Sequence, residues 1–344
     1  MDVIKCRNVN DGFIKGMDML SFDQEDIKES RAGNVIEHEC AVSTVYERPW
    51  ERVLFEEVRD ANPFFHFMEG LWMLAGRNDL TFVKQYNNRM GDYSDDGETL
   101  HGAYGWRWID YFRDGSSVAL GTINQLDIII ERLKDDPTDR RCVLQMWDPV
   151  NDLDRKGVDV PCNTTIYFKI RNNRLLMTVC CRSNDVIWGT FGANIVHMSM
   201  LQEYVASAID VEIGEYTQVS DSFHAYTKVF DEMHSRLEES DAFDYYSMKH
   251  FENPYSNKSI NYYPMFNSDN IEDWNKELVK FLDRKPFENI EFDDVFFSSV
   301  AVPLQDAWFL HKQGETDDAM SEVQNCIATD WATAGFDWLL RRAK

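Results

Sequence analysis

The sequence predicts an α+β fold. Segments with helical and strand patterning are interspersed along the 344 residues without a regular strand–helix alternation. No glycine-rich phosphate loop of either common type is present, which argues against a doubly wound sheet. Apolar residues make up 44% and aromatics 13% of the chain, with no repeat, low-complexity tract or Gly/Ser linker, so a sizeable core is affordable.

In chain order, Pro63 to Gly76 reads as a mostly buried helix carrying one carboxylate, Glu69, among Phe67, Met68, Leu71, Trp72 and Met73. Ser117 to Lys134 shows helical spacing (Ile123, Leu126, Ile129, Ile130, Leu133) and stops before Pro137. Cys142 to Trp147 reads as a strand. Thr164 to Ile170 and Leu175 to Arg182 read as a hairpin over Arg171-Asn172-Asn173-Arg174. A long helix is expected from Asn194 to Ile209, then a strand from Glu212 to His224. Residues Ser240 to Asp273 look like an irregular surface region, and three helices follow: Pro303 to Gln313, Asp317 to Asp330 and Trp331 to Arg342.

Composition excludes several classes. A net charge of −25 argues against a nucleic-acid partner, which needs a basic face, although a few arginines focused in one cleft still suit a small phosphate. No apolar run approaches membrane-span length, and Met1 to Arg7 has no signal-peptide core. Seven cysteines without regular spacing point to reduced thiols and a cytoplasmic setting. Histidines and cysteines show no metal-ligand spacing, so no metal is expected.

Cys162 is the candidate nucleophile. It lies in Asp159-Val160-Pro161-Cys162-Asn163, and the hairpin returns the chain to Arg182-Ser183-Asn184-Asp185. A thiol attacks as thiolate, and a guanidinium beside it favours that form. A buried structural cysteine is the alternative. Glu69 poses a similar choice: a carboxylate in an apolar helix either points outward or is buried with a partner or a raised pKa, as a general acid or base requires. His224 and Tyr226 alternate across one residue and face the same side of a strand.

Arg182-Ser183-Asn184-Asp185, Gly192-Ala193-Asn194-Ile195 and His224-Ala225-Tyr226 together resemble the thymidylate synthase superfamily. Pro161-Cys162, Arg140-Arg141, Glu69 with Trp72, Arg31-Ala32-Gly33 and His101-Gly102-Ala103-Tyr104-Gly105 fall in the matching order. The resemblance spans residues 25 to 230 and is closest to the bacteriophage branch, which includes pyrimidine nucleotide hydroxymethylases. It implies a catalytic unit over 1–302, with a large mixed sheet at a homodimer interface, and a helical extension over 303–344 packed on the same unit.

The resemblance also implies roles. Cys162, activated by Arg182, adds to C6 of a pyrimidine nucleoside monophosphate, and C5 then attacks the methylene of 5,10-methylenetetrahydrofolate. Arg31, Arg182 and Ser183 hold the phosphate, joined by Arg140 and Arg141 from the other subunit. A solvated strand start is the plain alternative for that arginine pair. His224 and Tyr226 hold the sugar, Tyr104 sits nearby, Glu69 shuttles protons, and Asp185 with Trp72 serves the folate. Asn194 reads the base: its carboxamide accepts from uracil N3–H and donates to O4, with a helix N-cap as the alternative.

The chain departs from the synthases in four places. It ends Trp338-Leu339-Leu340-Arg341-Arg342-Ala343-Lys344 instead of in a short apolar closing tail. Asn163 follows the nucleophile where synthases carry histidine. The stretch between Arg182 and Asn194 is one residue longer. Asn88 to Tyr93 lacks the folate-side tryptophan. A remodelled folate side favours water over hydride as the final quencher. The expectation is dUMP hydroxymethylation; the alternatives are thymidylate synthesis, cytidylate hydroxymethylation, or a non-catalytic nucleotide-binding homologue. The C-terminal helices either cover the mouth of the site or form a separate interaction surface.

Overall fold

The fold, taken from a computed structural model, is described for residues 1–22, 27–31, 33–112, 121–239, 253–266 and 271–343. Among the described residues, ten strands form two sheets. The larger has the order β1-β4-β9-β7-β6-β5, from β1 (Asp2–Cys6), β4 (Val42–Tyr46), β5 (Val143–Gln145), β6 (Asn163–Arg171), β7 (Arg174–Cys181) and β9 (Glu212–Ser220). The smaller runs β2-β3-β10-β8, from β2 (Ile27–Ser30), β3 (Gly33–Glu37), β8 (Asn184–Asp185) and β10 (Phe223–Tyr226). Within the larger sheet β1 pairs parallel with β4 and β7 with β9, and the other pairs are antiparallel. The sheet is therefore mixed, as expected.

The hairpin between β6 and β7 closes on Asn172 and Asn173, both left-handed with φ of 51° and 57°. Asparagine tolerates that conformation better than other non-glycine residues, and two such residues match the twist of the flanking strands. The turn sets the register as far as Thr165 and Cys180, a bulge at Thr164 then shifts it so that Asn163 pairs with Cys181, and the Arg182 amide donates to the Cys162 carbonyl at 2.9 Å. The hairpin thus brings the nucleophile loop beside the Arg182–Asp185 segment.

The strand expected over Glu212 to His224 is instead two strands in different sheets. The chain turns at Asp221 and Ser222, where the Asp221 amide donates to the Cys181 carbonyl at 2.8 Å and the Ser222 carbonyl accepts from Asn184 at 2.9 Å. Continuous strand patterning hides such a corner because both halves alternate alike.

Eleven α-helices are described. They are α1 (Val9–Ser21), α2 (Pro63–Leu74), α3 (Leu80–Tyr86), α4 (Tyr104–Ile109), α5 (Gln125–Asp135), α6 (Asn194–Ala208), α7 (Thr227–Glu239), α8 (Ile271–Leu282), α9 (Val302–Gln313), α10 (Thr316–Val323) and α11 (Thr329–Leu340). The helix expected from Ser117 begins at Gln125, and residues 113–120 lie outside the described residues. Part of the region expected to be irregular, 240–252 and 267–270, also lies outside them. The rest is not simply surface, since Tyr255 and Met265 are buried.

Helix α2 starts with Asn62 accepting from the Phe65 amide and Pro63 at its first turn, both favourable at a helix N-terminus. It is buried on nearly every face. Phe64 packs against Trp308 and Trp338 at ring separations of 5.8 and 5.7 Å, and Phe67 against Trp331 at 5.1 Å. Its opposite side presents Glu69 to α6. The three C-terminal helices therefore buttress α2 from behind. Among the described residues, none of these three helices lines the cleft described below.

Helix α4 crosses α2 so closely that a Cβ on Gly105 would lie 1.8 Å from the Met73 carbonyl oxygen. Backbone cannot yield to that overlap as a side chain can. Gly105→Ala is expected to cost about 3 kcal/mol or more and to lower the melting temperature measured by differential scanning calorimetry. No helix among the described residues is long and apolar enough to cross a membrane.

Candidate active site

A cleft of about 280 Å³ opens between α2, α6, the 159–162 loop and the 183–194 segment. Its lining includes Glu69, Trp72, Tyr104, Cys162, Ser183, Asp185 and Asn194, so seven of the predicted site residues meet in one place. Met90 and Tyr93, on the turn that lacks the tryptophan, line it as well. A larger open groove of about 880 Å³ lies around Trp50, Arg174 and Tyr262, but it holds no cysteine.

Cys162 precedes β6. Arg182 donates from Nε to the Pro161 carbonyl and from an Nη to the Val160 carbonyl, both at 3.0 Å, which latches the nucleophile loop. The thiol is nevertheless pushed above its ordinary pKa, chiefly by burial, while Arg182 and Arg31 pull it down and Asp159 pushes it up. The pull of Arg182 toward the thiolate is thus present but outweighed by desolvation in the free site. Alkylation of the thiol by iodoacetamide, followed by mass spectrometry of the Cys162 peptide, is expected to rise as pH rises well above neutral. At any pH it is expected to lag the exposed Cys40.

Asn194 is not an N-cap. It is the first residue of α6, with helical φ and ψ, and Ala193 precedes it without a side-chain cap. Its carboxamide enters a ladder instead. Asn163 Nδ2 donates to Asn194 Oδ1 at 3.1 Å, and Asn194 Nδ2 donates to Asn184 Oδ1 at 3.0 Å. Gln218 holds Asn163 Oδ1 at 3.2 Å, Tyr216 holds Gln218, and Asn184 donates to Ser220 at 2.9 Å. Every amide in the ladder has its orientation fixed by the next, which leaves Asn194 one acceptor position and one N–H.

The segment before α6 explains how a longer connection fits. Val186–Ala193 winds as a π-helix, the form that takes up one extra residue per turn, with Gly192 kinked out of helical geometry. Asp185 anchors its start by accepting from the amides of Ile187 and Trp188 at 2.8 and 2.7 Å. The other Asp185 oxygen is buried with no partner among the described residues, and burial raises its pKa. Trp188 remains exposed beneath the Arg59 guanidinium, 4.3 Å from its ring centroid.

Glu69 resolves its two readings toward burial with a partner. His197 Nε2 lies 2.8 Å from its Oε2, with side-chain exposures of 3% for the histidine and 7% for the glutamate. Trp72 lines the cleft and donates to Asp79 at 3.3 Å. Tyr104 Oη accepts from the Asn163 amide at 3.3 Å.

Arg31, Arg182, His224 and Tyr226 stand outside the cleft lining. Arg31 is exposed and reaches the Gly157 and Val158 carbonyls at 3.4 Å. His224 and Tyr226 share one face of β10 with their rings 6.1 Å apart. Arg140 and Arg141 are exposed, and Arg141 is paired with Asp139 at 3.0 Å. Neither contributes to this chain's own cleft.

Asp159, Asn184 and His197 are cleft residues to which the sequence assigns no role. Asp159, two residues before the loop proline, accepts from the Gly102 amide at 2.8 Å, and burial raises its pKa. His197 sits three residues after Asn194 on α6, and that i,i+3 spacing was the available signal. Among the described residues no group of three metal-ligating side chains is found.

A latched thiol, a buried carboxylate and a hydrogen-bonded carboxamide around one cleft fit the residue types that covalent catalysis on a small polar ring requires. The thymidylate synthase family model matches residues 62–283. The chain is 45% identical, over 99% of its length and 95% of the other protein's, to "Deoxyuridylate hydroxymethyltransferase" of Pseudomonas phage M6. It is 38% identical to the protein of the same description from Bacillus phage SP01, over 61% of this chain and 56% of that one. It is 27% identical to "Putative thymidylate synthase" of Methanosarcina mazei, over 67% of this chain and 91% of that one. The chain belongs to the thymidylate synthase family, whose members transfer one-carbon units.

Proposed function

We propose that the chain converts dUMP to 5-hydroxymethyl-dUMP, taking the one-carbon unit from 5,10-methylenetetrahydrofolate and releasing tetrahydrofolate. The observation that carries the base choice is the Asn163–Asn194–Asn184 ladder, which leaves Asn194 an acceptor and a donor matched to uracil N3–H and O4. The likeness to the phage hydroxymethyltransferase over nearly the whole chain supports water as the quencher.

Cys162 adds to C6, and the enolate so formed attacks the methylene from C5. Phosphate charge near Arg182 and Arg31 is offset by their guanidinium groups, with Ser183 as a further donor. His224 and Tyr226 take the sugar. The unpartnered Asp185 oxygen suits an N–H donor of the pterin, with Trp72 alongside. Loss of the C5 proton and cleavage of the N5–methylene bond leave an exocyclic methylene on the ring, to which water adds.

The exposed Arg140 and Arg141 fit the reading in which each serves the partner subunit of a homodimer. Val143 and Tyr167, paired in register and exposed at 40% and 47%, fit a sheet that meets its copy. Incubation with dUMP and methylenetetrahydrofolate tests the function: mass spectrometry is expected to give 5-hydroxymethyl-dUMP with tetrahydrofolate. Dihydrofolate and thymidylate overturn the hydroxymethylase reading in favour of thymidylate synthesis.

A further inference from the structure

We propose that His197 is the base that activates the attacking water, with Glu69 as the group that orients it and supports its charge. The proposal rests on the hydroxymethylation reading, and three observations carry it. His197 and Glu69 line the same cleft as Cys162 and Asn194. The Nε2 of His197 is committed to Glu69 Oε2 at 2.8 Å, with both side chains more than nine-tenths buried. The Nδ1 of His197 is buried and has no hydrogen-bond partner among the described residues.

These observations fix the chemistry of the ring. A carboxylate only accepts, so Nε2 carries the hydrogen and donates it, and in the neutral imidazole Nδ1 is left as a lone-pair acceptor. An acceptor buried without a donor is costly, which gives the site a standing preference for a small O–H donor from the cleft. His66, which also approaches His197 from α2, is held well below its ordinary pKa by burial and by Arg59 and His197, so it stays neutral and adds no competing charge. Position adds to this. Asn194 and His197 lie three residues apart on α6, on one face, so the group that holds the ring and the group that would hold the water share a rigid support.

Water oxygen bonds to the exocyclic methylene carbon. The C5–methylene π electrons move into the ring as the C4 enolate, and the water proton passes to His197 Nδ1. The imidazolium is stabilised by the Glu69 carboxylate at Nε2. The enolate then collapses, C5=C6 re-forms, the C6–sulfur bond breaks, and the departing Cys162 thiolate takes up a proton while His197 returns its own to solvent. No oxidant or reductant is consumed.

The test uses the full chain with His197→Gln and His197→Ala. Glutamine keeps a donor for Glu69 and an acceptor for water but cannot take the proton at neutral pH. Both variants are expected to form the covalent 5-fluoro-dUMP–folate adduct at parental stoichiometry and to release tritium from [5-³H]dUMP in a first-turnover burst. Steady-state 5-hydroxymethyl-dUMP formation is expected to fall about 100- to 1,000-fold. Added mercaptoethanol is then expected to divert the stalled methylene to the 5-thioether nucleotide. Parental product rates in the glutamine variant, or loss of adduct and burst in both, overturn the assignment. The parent's own product decides the hydroxymethylation reading separately: dihydrofolate there overturns that reading, whereas the ratio of variant to parent judges His197.

Discussion

Cys162→Ala is expected to turn over at least about 10⁴-fold more slowly than the parent while binding dUMP with affinity within a few-fold. The loss is large because no neighbour can replace the thiol. Cys181, the nearest cysteine by strand pairing, is 2% exposed, and burial drives its thiol far out of the reactive range. Binding is expected to survive because the groups read as holding the nucleotide do not depend on the sulfur. Arg182 is fixed by the Pro161 and Val160 carbonyls, and Asn194 by its two asparagine neighbours. The sulfur itself makes only a 3.9 Å contact with the Val160 carbonyl, so removing it disturbs no strong hydrogen bond. Calorimetric titration with dUMP and single-turnover product analysis separate the two quantities. The 5-fluoro-dUMP adduct is expected to vanish entirely. Retention of turnover within about tenfold of the parent would place the covalent step elsewhere.

The same residue shows how far the sequence reached. That Cys162 faces Arg182 followed from a hairpin whose turn, Asn172-Asn173, announces its own geometry. That Glu69 is buried followed from its apolar neighbours, and the central helices followed from spacing. The effect of burial on Cys162 did not, because desolvation depends on how residues distant in sequence close over a site. The break between β9 and β10 was invisible for a related reason: alternation reports which face is buried, not which sheet a strand joins. For His197 the sequence offers only its i,i+3 spacing from Asn194, because its hydrogen-bond partner Glu69 lies 128 positions earlier. The N-terminal strands β1 to β4 are four or five residues each, too short for alternation to mark them. The ladder is the clearest case of something present in the letters yet unreadable: Asn163, Asn184, Asn194, Gln218 and Ser220 are ordinary polar residues until two sheets and a helix start bring them into one line.

That ladder supports the second large expected effect. Asn163→Asp is expected to lower kcat/KM for dUMP by about 100- to 1,000-fold and to raise dCMP relative to dUMP. In the parent, the Asn163 amide group donates to Asn194 Oδ1, so Asn194 must turn its own amide toward Asn184. An aspartate in place of Asn163 offers only oxygen. Oxygen facing oxygen is repulsive, and the cheapest relief is for Asn194 to flip and donate to the new carboxylate. Asn184 can follow, because its partner Ser220 is a hydroxyl that serves equally as donor or acceptor. Gln218 still finds an oxygen to donate to. The flipped Asn194 then presents a donor where uracil has N3–H and an acceptor where uracil has O4. Two hydrogen bonds become two mismatches, each costing about 1–3 kcal/mol. Cytosine, with an acceptor at N3 and an amino group at C4, meets the flipped carboxamide correctly. The measurement is the ratio of kcat/KM for dUMP to that for dCMP in parent and variant, with thermal melting to confirm an intact fold. An unchanged ratio in a folded variant would mean that Asn194 keeps its orientation without Asn163. A fall for both nucleotides would mean that the ladder holds the residue in place without setting its polarity. A reversed ratio means that base choice is set one residue beyond the nucleophile, at the position where this chain carries asparagine.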